Sequence, residues 1–75
     1  MTDIDIRKYI IENFKDDSAT KIRDSIETTI KSRDEDALIG LGVLFELLWN
    51  SLSEEEKGKN VNNIQQSIKD LATND

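Results

Sequence analysis

Apolar residues recur along this chain at three- and four-residue spacing, and one stretch departs from that pattern. From Ala37 to Leu52, ALIGLGVLFELLWNSL, they leave almost no polar face on a helix projected at about 100° per residue. Leu41, Leu44, Leu48 and Leu52 line one side, while Ile39, Val43 and Leu47 line another. That distribution predicts a buried central helix over about 37–52, covered by neighbours from several directions. Gly40 and Gly42 would let a neighbouring backbone approach closely there.

The flanking segments read as narrower, amphipathic helices. Ile4, Ile6, Ile10, Ile11 and Phe14 fall within an arc of roughly 160°, behind Thr2 or Asp3 as a suitable N-cap. Lys15-Asp16-Asp17 ends that helix. Ser18 can cap a second, whose stripe is Ala19, Ile22, Ile26 and Ile30, with Lys21, Asp24, Glu27 and Lys31 on the solvated side. After the central helix, Ser53-Glu54-Glu55-Glu56 has the spacing of a capping box. It opens a fourth helix carrying Val61, Ile64, Ile68 and Leu71, weakened in its first half by Gly58, Asn60, Asn62 and Asn63. Ala72 to Asp75 is expected to fray. Proline is absent, and no internal repeat, low-complexity tract or linker interrupts the pattern. The expected fold is all-α, a single four-helix domain over residues 1–75.

Size turns this pattern into an expectation about assembly. A chain of 75 residues buries roughly 60% of its unfolded surface, and apolar transfer on that scale only about offsets the entropy of ordering the chain. Without cysteine or histidine there is no disulfide and no zinc cluster to add stability. Association between subunits is the remaining means, so a homodimer is expected.

Charge narrows the partners. Ten basic and sixteen acidic residues give a formal net charge of −6, and no segment is basic: −2 over residues 1–17, −1 over 18–36, −1 over 37–52 and −2 over 53–75. This disfavours nucleic acid and anionic membrane surfaces. The apolar stretch falls short of the about 20 residues needed to span a bilayer and holds Glu46, so membrane insertion is not expected. No basic, apolar leader with a cleavage site precedes the first helix, which points to a cytoplasmic protein.

Candidate chemistry is sparse. The acidic turn Ser32-Arg33-Asp34-Glu35-Asp36 suits the positive end of the central helix. Read instead as a calcium loop from Asp34, it places Leu38, Ile39 and Phe45 at the fifth, sixth and twelfth positions, and fails. Gly40-Leu41-Gly42 lacks the third glycine, the preceding strand and the lysine of a phosphate-binding turn. Leu41, Leu44, Phe45, Leu48 and Trp49 could form a groove for a partner peptide, but core or dimer interface is the reading preferred. Two charges stand in apolar surroundings: Arg7 between Ile11 and Phe14, and Glu46 alone in residues 37–52. They are candidates for a buried ion pair. The alternative is that Arg7 snorkels and Glu46 lies on a wet strip beside Asn50. A guanidinium cannot exchange a proton with a carboxylate, and no serine, threonine or lysine has an evident activating base. No enzymatic activity, cofactor or metal is expected.

At GLGVLFELLW, residues 40–49, followed by Ser53-Glu54-Glu55-Glu56-Lys57, the chain resembles the small acid-soluble spore protein I family of spore-forming Firmicutes. The resemblance extends to Arg7 with Ile10-Ile11, the Ile26 to Ile30 stripe, the acidic turn before Leu38, and Leu71. One departure is Ile39, where the family tends to carry proline, so the third helix is free to begin earlier, at Asp34 or Asp36. The resemblance implies a sporulation protein made in the forespore and kept in the spore core. Its role there would be structural or in contact with an unidentified spore-core protein. The alternative is a DNA-associated protective role, by analogy with the separate alpha/beta-type small acid-soluble proteins.

Overall fold

The computed structural model describes residues 5–73. Within them the regular structure is helical throughout: α1 (Ile6–Phe14), α2 (Ala19–Ser32), α3 (Ala37–Ser51) and α4 (Glu54–Thr73). Thr2 and Asp3 lie outside the described residues, and the N-cap of α1 is Asp5, whose carboxylate accepts from the Lys8 amide at 3.0 Å. Ser18 caps α2 in the same way through the Lys21 amide. Ser53 and Glu56 form the reciprocal box at the start of α4: Glu56 N–H donates to Ser53 Oγ at 3.1 Å, and Ser53 N–H donates to Glu56 Oε1 at 2.8 Å.

The turn between α2 and α3 departs from the sequence expectation. Arg33 takes a left-handed conformation, φ 56°, and its amide donates to Ile30 O, closing α2. Asp34 then accepts the Asp36 amide on Oδ1, a local turn that competes with helix. α3 accordingly starts at Ala37, later than Asp34 or Asp36, and Asp36 makes no side-chain cap.

α1 packs on α3, and α2 meets the first turns of the same helix. Ile10, Phe14, Ile26, Gly40, Leu41 and Leu44 surround an apolar recess of about 280 Å³ where the three meet. Gly40 faces Ile10 at an ordinary contact distance, 3.7 Å from where a Cβ would stand, and Gly42 faces open space. Neither glycine serves the close backbone approach expected of it.

The central helix is less covered than its sequence demands. Val43, at 8% exposure, is the one buried apolar residue among those described. Leu41, Leu44 and Trp49 are half-buried, whereas Leu38, Ile39, Phe45, Leu47 and Leu48 are exposed. α4 leaves α3 through a two-residue link, Leu52-Ser53, and meets it across an open groove lined by Val61 and Ile64, so the α4 stripe stays exposed from Val61 to Leu71. The chain exposes 6623 Å², against about 4,700 Å² for a folded monomer of this mass. Burial is thus about 47% of the unfolded surface rather than the expected 60%. The radius of gyration, 14.7 Å, likewise exceeds the roughly 11 Å of a close-packed domain of this length.

Candidate functional site

Arg7 lies near the start of α1 and Glu46 in the middle of α3. The α1 to α3 packing brings them together: Arg7 Nε donates to Glu46 Oε1 at 2.6 Å and Nη2 to Oε2 at 2.8 Å. This is the two-pronged geometry in which guanidinium and carboxylate match. The side chains are 67% and 47% exposed, so the buried pair expected from sequence is instead a surface clasp. Of the two residues expected to flank Arg7, Ile11 is exposed and Phe14 half-buried. The hydrogen bond to Arg7 holds the Glu46 carboxyl below its usual range, with partial desolvation acting the other way, and the same bond raises Arg7 further.

A second feature joins the end of α3 to the start of α4. Phe45 and Trp49, one helical turn apart, place their rings 5.9 Å apart at 33°. Lys57 Nζ stands 5.5 Å over the Trp49 ring and 3.3 Å from Glu54, so the first turn of α4 is held to α3 by a cation over an aromatic face. Beside it, Gly42, Phe45, Glu46, Trp49, Val61 and Ile64 line an open apolar groove of about 450 Å³. The apolar face continues along α4 through Ile68 to Leu71.

The sequence candidates divide on this geometry. Leu41 and Leu44 face the three-helix recess. Phe45 and Trp49 line the α3–α4 groove. Leu48, 46% exposed, lines neither and is not core, and Phe45 at 45% is not core either. Sequence reasoning named the α4 stripe without saying what covers it, and the structure leaves it exposed. Among the described residues no group of three or more His, Cys, Asp or Glu is placed to hold a metal ion, and no helix is long and apolar enough to cross a membrane.

The family model for small, acid-soluble spore protein I matches residues 4–68. The chain belongs to that family. The matched span takes in α1, α2, α3 and α4 as far as Ile68, and hence the Arg7–Glu46 clasp and the groove. Small acid-soluble spore protein I of Geobacillus sp. (strain WCH70) is 33% identical, over 93% of this chain and 99% of its own length. The proteins of that name from Bacillus licheniformis and Bacillus subtilis are each 33% identical over 89% of this chain, covering 96% and 94% of their own lengths. No solved structure matches. Membership makes this a small acid-soluble protein of sporulation, associated with the spore, as the decapeptide at residues 40–49 implied.

Proposed function

We propose that this chain is a non-catalytic structural or interaction protein of the spore core, made in the forespore, that acts by contact through apolar surface. The observation that carries the reading is its uncovered surface. Thirteen large apolar or aromatic side chains among the described residues stay at least 43% exposed. Contiguous apolar surface on a small chain marks sites of association.

Charge weighs against the DNA-associated alternative. The net charge is −6, and at least half of the ten cations that could contact phosphate are engaged by carboxylates. Lys15, Arg23, Lys57 and Lys59 each lie within 3.9 Å of a glutamate three or four residues away, and Arg7 is held by Glu46.

Formaldehyde cross-linking in intact spores of a producing strain tests the reading. After removal of the outer layers, the chain is expected in the core lysate, in adducts of higher mass that survive nuclease. Recovery in the coat extract, or adducts that collapse on nuclease treatment, would overturn it.

A further inference from the structure

The stripe on α4 has a symmetry that its role within one chain does not use. Val61, Ile64, Ile68 and Leu71 are spaced three, four and three residues apart, the a/d spacing of a helix that pairs with another helix. The spacing is also a palindrome about position 66: 61 mirrors 71, and 64 mirrors 68. Two such helices laid antiparallel therefore bring all four residues of each into register with the other's. The four are 44–73% exposed, and every residue from Val61 to Ala72 is exposed.

We propose that two copies of this chain dimerise through antiparallel α4 helices, about a two-fold axis level with Gln66. Ile68 and Leu71 of each copy then pack on Ile64 and Val61 of the other, at the mouth of the groove beside Phe45 and Trp49.

Three observations select a second copy as the occupant. The first is area. The chain exposes about 1,900 Å² more than a folded monomer of its mass, where a standard interface needs about 800 Å² per partner and obligate homodimers more. The second is charge. Each copy carries −6, so copies meet best where few carboxylates face the partner. The positions flanking the stripe, Asn60, Gln65, Ser67 and Ala72, are all uncharged, and the charged side chain lining this surface beside Val61, Ile64 and Ile68 is the cation Lys69, while Asp70 lies on another side of the helix. The third is direction. Glu54, Glu55 and Glu56 crowd the first turn of α4. A parallel pair would set six carboxylates side by side, whereas an antiparallel pair holds the two clusters about 30 Å apart. Two heptads are fewer than the three or four of a self-sufficient coiled coil, so the groove formed with α3 must supply the rest of the contact. The two-fold arrangement meets this need, since each copy offers both a free apolar end and a groove.

Sedimentation equilibrium of the full chain is the test. At about 100 μM, far above the micromolar Kd of a modest association, the mass should be twice 8.6 kDa. Ile68→Glu is expected to weaken the dimer about a hundredfold or more by placing carboxylates in the contact. The helical circular dichroism signal at matched monomer concentration should be retained, because Ile68 is exposed in the monomer. Asn62→Glu adds the same charge to another side of α4 and should leave the equilibrium unmoved. Spin labels at Glu55→Cys should lie more than about 30 Å apart across the dimer. A monomer at 100 μM would overturn the proposal. So would a dimer indifferent to Ile68→Glu, equal weakening by Asn62→Glu, or Glu55 labels within about 20 Å.

Discussion

Arg7 and Glu46 show how a strong geometry can carry a modest stabilisation. Their two short hydrogen bonds are open to water, where screening and side-chain entropy reduce an ion pair's worth. The pair orients α1 on α3 more than it stabilises the fold. Its pH dependence follows from the depressed Glu46 carboxyl. A carboxylate lowered in the folded state contributes stability that is present above its unfolded pKa, about 4.3, and is lost as pH falls through the folded value. Glu46→Gln should therefore lower the urea midpoint at pH 7, by a deficit that shrinks as pH falls below about 4. A deficit that does not change with pH would show that the ion pair contributes nothing. The pairing was legible because each residue is the lone charge on an apolar face. Its exposure was not, because that depends on how far neighbouring helices reach. Arg33 makes the opposite case. Nothing in its local sequence marks it as left-handed, a conformation that costs a side-chain-bearing residue about 1–2 kcal/mol. Arg33→Gly relieves that cost while adding freedom to the unfolded chain, so a net gain of about 0.5–1 kcal/mol is expected in urea denaturation.

The helices themselves were largely readable, because what starts and stops a helix is local. Ser18 and Ser53 cap where their spacing to Lys21 and Glu56 predicts. α1 starts at Ile6 because Asp5 reaches the Lys8 amide, whereas the sequence reading offered only Thr2 or Asp3 as the cap. α3 starts at Ala37 because Asp34 turns the chain first. Two predictions belong at this scale. Ser53→Ala removes the acceptor for the Glu56 amide and should cost about 1 kcal/mol, read as a lower denaturation midpoint with faster amide exchange in the first turn of α4. Gly58 stands inside α4 with nothing within 4 Å of where its Cβ would lie. Gly58→Ala should stabilise by about 0.5–1 kcal/mol and raise the helical circular dichroism signal, since alanine loses less backbone entropy on entering a helix. An unchanged signal would mean that this stretch of α4 is already fully formed.

For the molecule as a whole, the governing fact is that charge is spread and apolar surface is not. With ten cations among sixteen carboxylates, the chain has no excess of cations with which to release counterions from a phosphate backbone. In a mobility-shift titration at about 150 mM salt, the chain should not retard duplex DNA at micromolar concentration. Saturable retardation that weakens steeply with added salt would restore the DNA-associated alternative. The family, the helical class and the four elements could be read from the sequence because they depend on residue identity, spacing and capping, which act over three or four residues. Which apolar faces are covered could not. Ala37 to Leu52 carries enough apolar surface for a buried helix, yet burial needs neighbours of sufficient length and direction. The short α1, the narrow α2 and an α4 tied on by two residues do not enclose it. Tertiary structure alone decided that Val43 is covered, that Phe45 and Leu48 are not, and that the stripe of α4 faces water.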